Sequence, residues 1–216
     1  MNPIIPTIFA QNKKEFQERF NKLIHISKNL QIDFMDRKFV PSNSISISQI
    51  PNLKKYKNNF EAHLMVKSPE SWIKSLKQKG FRKIIIHYES VNPQKALGLS
   101  KKNKLITFIA INPETPIKRI LPFLRNVDGI LFMGVHPGKE HQKFISSVYK
   151  KIKQLKKINK KILIQVDGGV NEKNISRLAK AGVNYVNSGS LISDSKNPKE
   201  TYRVLSKIFK TARRKF

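Results

Sequence analysis

Apolar runs rich in isoleucine, valine and phenylalanine recur along the chain at nearly regular intervals. They occupy residues 4–9, 32–35, 60–66, 83–88, 105–111, 129–135, 162–166 and 185–188. Short continuous runs of this kind suit strands buried on both faces of a parallel sheet. The segments between them change to a helical period. Residues 13–26 place Phe16, Phe20, Leu23 and Ile24 on one face, the stripe of an amphipathic helix. Residues 69–79 open on Pro69 and Glu70, bury Trp72, Ile73 and Leu76, and stop before Gly80; Pro first and Gly last is helix punctuation. Ile152, Leu155 and Ile158 make residues 150–161 an amphipathic helix with a solvated basic face. Residues 171–180 carry Ile175, Leu178 and Ala179 and end near Gly182, and residues 198–211 turn Val204, Leu205 and Ile208 inward.

A strand followed by a helix, repeated eight times, predicts an α/β fold, a (β/α)8 TIM barrel. A doubly wound open sheet is the rival, but it calls for a Gly-rich first turn, and none follows Phe9. No linker or low-complexity tract divides the chain, so residues 1–216 are expected to form one domain. In such barrels chemistry sits at the C-terminal ends of the strands. The polar residues found there are Thr7, Asp33 and Asp36, His63, His87 and Glu89, Asn112, His136, Asp167-Gly168-Gly169 and Ser188-Gly189-Ser190. Aspartate and histidine on apolar strands are costly to bury without a partner or a function.

Composition narrows the class. The 216 residues include no cysteine, which excludes disulfides, zinc–thiolate sites and a cysteine nucleophile. The longest clean apolar run, 105–111, is too short to cross a bilayer. The N-terminus has no basic stretch before its apolar residues, so no signal peptide is expected, and a soluble cytoplasmic protein is. Lys+Arg number 43 against 14 Asp+Glu, a net charge of +29. That charge suggests a polyanion partner. Against it, lysines outnumber arginines 34 to 9 and lie scattered on helix faces, whereas phosphate and base readout favours arginine's planar fork. A nucleic-acid partner is therefore disfavoured, and drift toward lysine is the simpler account.

Eight local strings carry a resemblance. They are PTIF at 6–9, IDFMDRKFVPS at 32–42, HLMVKSPE at 63–70, IIIHYES at 84–90, INPETP at 111–116, MGVHPG at 133–138, VDGGV at 166–170 and SGSLI at 188–192. In order and spacing they resemble the ribulose-phosphate 3-epimerase family. The resemblance implies metal-assisted proton transfer at C3 of a pentulose phosphate, interconverting D-ribulose 5-phosphate and D-xylulose 5-phosphate. Asp33 and Asp167 would be the two acid/base catalysts and, with His63, the ligands of a divalent ion: zinc, manganese, iron or magnesium. Thr7 and His63 would touch the substrate. Gly168, Gly169, Gly189 and Ser190 would serve its phosphate, in the manner of ribulose-phosphate-binding barrels, and Gly138 would also contact the substrate. Met35, Met65 and Met133 would pack the site floor. His87 and Glu89 read equally as groups orienting the site or as structural residues.

The chain departs from the family pattern at named positions. Gln31 stands where a metal-binding His usually begins the second-strand motif, so metal affinity should fall or shift toward oxygen-loving ions. Arg37 replaces a Gly. The sixth loop reads HPGKEHQ at 136–142 where NPGFGGQ is usual, so Glu140 and His141 should impair phosphate binding, with Lys139 a partial offset; His136 and His141 read as loop residues, either of which could stand in for the missing ligand. Weakened or altered catalysis is expected. Two alternatives stay open: a non-catalytic barrel that binds a phosphosugar or polyanion, and an epimerase of a related ketose phosphate. Barrels of this family commonly assemble, so a homo-oligomer is compatible with the sequence, although the charge opposes close association.

Overall fold

The computed structural model describes residues 2–214. Its eight strands are β1 (Ile4–Ile8), β2 (Asn29–Met35), β3 (Asn59–Met65), β4 (Lys83–His87), β5 (Ile106–Ile111), β6 (Gly129–Met133), β7 (Leu163–Asp167) and β8 (Tyr185–Ser188). Each is parallel to the next, and β8 returns to β1 through Val186 and Ile4, closing a barrel. The eight apolar runs thus become the eight strands. β2 starts earlier than its apolar run, at Asn29, because it pairs with β3 from Asn29↔Asn59 onward. Pairing in the closed sheet overrides the polar character of that stretch.

Helices follow six of the strands. They are α1 (Lys13–Leu23), α2 (Ile73–Lys79), α3 (Pro93–Lys102), α4 (Ser147–Ile158), α5 (Glu172–Lys180) and the pair α6 (Ser190–Ser193) and α7 (Pro198–Arg214). The expectation of a helix after every strand fails after β2 and β5, where only short 3₁₀ turns occur, at Ile47–Gln49 and Leu53–Lys55 and at Ile117–Arg119 and Leu121–Phe123. Both connections are rich in proline (Pro41 and Pro51; Pro113, Pro116 and Pro122). Proline removes the donor that a continuing helix needs. α3 escaped the sequence reading, although Pro93 opens it and Ala96 and Leu97 are buried.

Local signals set the helix ends and faces. Asn12 caps α1 by accepting from the Glu15 N–H at 3.0 Å, and Asn171 caps α5 in a capping box with Asn174. α1 buries Phe16, Phe20 and Leu23 as its pattern predicts. α7 is rotated from the expected face: Tyr202, Leu205, Phe209 and Ala212 are buried, while Val204 and Ile208 are half-buried. On α4, Ile158 is 55% exposed. Lys151 of the same helix is buried instead and donates to the carbonyls of Asn112 at 2.8 Å and Thr115 at 2.6 Å. That lysine ties the helix to the loop after β5 and is not part of a solvated face.

Strand alternation divides the interior in two. Ile32, Phe34, Leu64, Ile84, Ile86, Ile109, Ile130, Ile164 and Val186 face outward into the main core under the helices. Ile85, Phe108, Ala110, Leu131, Met133 and Val135 fill one side of the lumen. The rest of the lumen is polar, with Gln31, Glu61, Lys83, Gln165 and Asn187 all buried. The strands are therefore not apolar on both faces, as their sequence suggested.

Phe20 anchors α1 to the barrel: its ring lies 5.3 Å from Phe16, 5.2 Å from Tyr56 and 6.1 Å from Phe60. Truncation to Phe20→Ala should lower stability by about 3–5 kcal/mol, read as a drop in the urea midpoint at unchanged slope.

Candidate active site

The same alternation sends Gln31, Asp33 and Met35 of β2 into the lumen, with Glu61, His63 and Met65 of β3 and Gln165 and Asp167 of β7. Register then sets their height. Asp33 lies opposite His63 and Asp167 opposite Met133, at the C-terminal ends of their strands. His63 Nδ1 is 3.3 Å from Asp33 Oδ1 and 3.3 Å from Asp167 Oδ2. The three side chains are buried, and their ligand-type atoms lie within 4.8 Å of one another. Two carboxylate oxygens and one imidazole nitrogen at this spacing suit a divalent ion. The residues named for the site from sequence do converge.

A histidine between two carboxylates is held protonated. Burial works against the imidazolium, but hydrogen bonds and charge from Asp167 and Asp33 outweigh it and push His63 up to about 9. Burial, helped by the charge of Asp167, raises Asp33 to about 6 against the opposing pull of His63 and Gln31. On its far side, His63 Nε2 is 2.9 Å from His87 Nε2. Burial, together with the charge of His63, lowers His87 below the usual histidine range. A neutral His87 accepts from His63 Nε2–H and donates its own Nδ1–H to Glu89 Oε2 at 3.3 Å. Glu89 is held ionised despite burial, by His87, the Thr115 hydroxyl and the Asn112 N–H. His87 and Glu89 are thus positioning residues for the His63 ring. Asp36 plays a different part. Its carboxylate accepts from the N–H groups of Lys38, Phe39 and Lys67, clipping the loop after β2 to the end of β3.

Thr7, Asp33, His63, Gly138, Asp167, Gly168, Gly169, Gly189 and Ser190 line one cavity of about 120 Å³, as do Met35, Met65 and Met133. At Gly168 the backbone φ is +93°, and a Cβ would stand 2.3 Å from Val135 Cγ2, so only glycine fits. Ser188 also lines the cavity; its hydroxyl is buried and has no partner among the described residues. It was not singled out from sequence as a contact, although its place at the end of β8 was the signal. Neither loop histidine joins the three donors. His136 faces Glu114 at 3.4 Å and His141 faces Asp194 at 3.6 Å, both on the surface.

The profile of the Ribulose-phosphate 3 epimerase family matches residues 3–193. The chain belongs to the ribulose-phosphate 3-epimerase family. A ribulose-phosphate 3-epimerase of Schizosaccharomyces pombe is 28% identical over 203 residues, covering 91% of this chain and 89% of that one. The Helicobacter pylori protein of the same name is 35% identical over 184 residues, covering 79% and 81%. In fold alone, the barrel resembles 3-hexulose-6-phosphate synthase from Salmonella typhimurium, with a TM-score of 0.76, 14% identity and coverage of 97% and 99%.

Within the epimerase family pattern, the departures acquire a physical meaning. Arg37 and His141, both at usual glycine positions, have φ of 58° and 59°. A side chain in that left-handed region costs about 1 kcal/mol, so glycine is the natural occupant. Glu140 does not stand as a free charge: Arg19 of α1 donates to both its oxygens at 3.0 Å. The expected repulsion of phosphate is therefore partly neutralised by a residue that the sequence did not point to.

The raised His63 and Asp33 values link stability to pH. Each folded value lies above the ordinary one (6.5 for His63, 3.8 for Asp33). Each contribution is thus complete below the ordinary value and is lost as pH rises through the folded one. Metal-stripped protein should lose stability between about pH 6.5 and pH 9 as the His63 proton leaves, on the order of 3 kcal/mol. Urea midpoints across that range check this, and His63→Gln should flatten the decline.

Proposed function

We propose that the chain interconverts D-ribulose 5-phosphate and D-xylulose 5-phosphate by proton transfer at C3. The observation that carries this reading is the meeting of Asp33 and Asp167, from β2 and β7, at one buried point in the cavity, with His63 between them. One carboxylate takes the C3 proton from one face of the sugar, and the other returns a proton to the opposite face, inverting the centre. The roles exchange with the direction of reaction.

Asp33, His63 and Asp167 would hold a divalent ion, which when bound supplies positive charge to balance the negative charge developing on the substrate's C2 oxygen. His87 and Glu89 keep the His63 ring turned toward that point. At the other end of the cavity, backbone N–H groups of Gly168, Gly169, Gly189 and Ser190 meet the phosphate, with Gly138 closing beside them. The Thr7 and Ser188 hydroxyls contact the sugar. Met35, Met65 and Met133 give an apolar floor that excludes water from the reacting carbon.

In D₂O with zinc, manganese or magnesium supplied in turn, D-ribulose 5-phosphate should gain deuterium at C3. Asp33→Asn and Asp167→Asn should each reduce kcat by about 10²–10⁴-fold. Absence of exchange with every ion would leave only a sugar-phosphate-binding barrel, and full exchange by Asp33→Asn would remove its role. At the phosphate end, Glu140 Oε1 lies only 3.5 Å from where a Gly189 Cβ would be. Glu140→Gln should lower KM by about three- to fivefold with kcat unchanged, the effect of removing one part-exposed charge, as steady-state kinetics would measure.

A further inference from the structure

Beneath the three donors, a column of buried side chains runs down the lumen. At its base Lys83 Nζ donates to Glu61 Oε2 at 2.9 Å and also to Gln165 Oε1. Gln165 Nε2 donates to Glu61 Oε1 at 2.5 Å and to Asn187 Oδ1 at 2.6 Å. Asn187 Nδ2 donates to Gln31 Oε1 at 2.8 Å. Gln31 Nε2 ends the column. It donates to Asp33 Oδ1 at 2.8 Å and Asp167 Oδ2 at 2.5 Å, and lies 3.4 Å from His63 Nδ1.

The sense of each carboxamide follows from its neighbours. Turned over, Gln165 would aim its carbonyl at the Glu61 carboxylate and its NH₂ at the Lys83 ammonium, two repulsive contacts in a buried place. The ion pair therefore sets Gln165. Gln165 N–H sets Asn187 with its carbonyl toward the barrel floor, and Asn187 N–H sets Gln31 the same way. The two carboxylates at the top demand the same sense. Both ends of the column agree, so Gln31 has one orientation.

The Gln31 nitrogen thus sits among the atoms that would surround a cation. We infer that the Gln31 NH₂ is a built-in competitor for the divalent ion, held in the ion's seat by an amide relay that ends on the Lys83–Glu61 pair. It bridges Asp33 and Asp167 when no ion is present, and an ion binds only by displacing it. Turning Gln31 to offer its carbonyl as a ligand would break the Asn187 bond and set two NH₂ groups against each other. Lys83, Glu61, Gln165 and Asn187 are in this view positioning residues that lower ion affinity from the far end of the barrel. The inference rests on the ion site proposed above.

Calorimetric titration of the metal-stripped full chain with zinc and with manganese tests it. Gln31→Leu should tighten Kd by about tenfold or more, the scale of a hydrogen bond to a charged group. Gln165→Met, which cuts the relay while conserving volume, should tighten it by about threefold or more. Unchanged or weaker binding in Gln31→Leu would overturn the inference, and no gain in Gln165→Met would remove the relay from it. Nitrogen-15 spectra of the unaltered protein give a readout that needs no variant. The Gln31 side-chain NH₂ should be protected from exchange without metal and lose that protection as zinc saturates; protection that persists at saturation would overturn the inference. Asp167→Asn separates the two levels: zinc binding retained in that variant would dismiss the ion site itself, whereas its loss together with a neutral Gln31→Leu would dismiss only the competitor.

Discussion

A closed parallel sheet sends every second residue of every strand into a lumen where little side-chain surface reaches water. That constraint governs this protein. A charge placed at such a position meets its complement on another strand or is driven toward its neutral form, because burying it unpaired is costly. Asp33, His63 and Asp167 satisfy the rule only as a set: the imidazolium stands between the carboxylates, and either carboxylate alone with a neutral ring would be a buried, uncompensated charge. The compensation extends in two directions. Upward it passes from His63 through His87 to Glu89, and downward through Gln31, Asn187 and Gln165 to Glu61 and Lys83. The site therefore lies within a hydrogen-bonded column, and its geometry depends on groups beyond the cavity.

Much of this was legible in the chain. Eight apolar runs mark the strands because a β-branched run buried between layers has little else to be, and the polar residues closing those runs mark the mouth because a barrel places strand ends there. Asp33, His63 and Asp167 stand out from their strings alone. The lower half of the column does not. Glu61, Lys83 and Gln165 sit at strand beginnings or between apolar neighbours and Asn187 beside Ser188, where a polar residue reads as a boundary or as solvent-facing; Gln31 stood out only as a changed ligand position, not as the head of a column. Their meaning appears only when register sets them against one another across the lumen. The missing helices after β2 and β5 had a signal, in proline spacing, that the expectation of a regular repeat overrode. Ile158 was misread because helical period alone does not say where the covered face stops, and Lys151 because a lysine's long stem can carry its charge to carbonyls inside the rim.

The departures from the family pattern differ in kind. Arg37 and His141 adopt the left-handed backbone that glycine takes most readily, at a conformational cost. Glu140 introduces a charge near the phosphate end, but Arg19 contacts it with two bonds and Glu15 and Asp194 share the same guanidinium. Gln31 differs from both. It keeps a polar atom at the head of the column but exchanges a lone pair for N–H donors at the point where the carboxylates converge. The first kind of change bears on backbone conformation, the second on charge beside the cavity, and the third on what stands between the two carboxylates.

The distribution of charge follows from the same constraint. The chain carries +29 overall, yet the lumen and mouth hold Glu61, Asp33, Asp167 and Glu89 against Lys83 and a protonated His63, an acidic excess. Lysines accumulate on helices because an exposed ammonium there meets no packing requirement, whereas any added cation inside the barrel would need a new partner on a neighbouring strand. The outer surface could therefore become strongly basic without disturbing the column. The resulting field favours approach of an anionic sugar phosphate, while the acidic pair at the bottom of the mouth keeps a place for a proton or a cation. Opposite electrostatic demands, attraction of an anion and retention of two carboxylates, are met at different radii of one barrel.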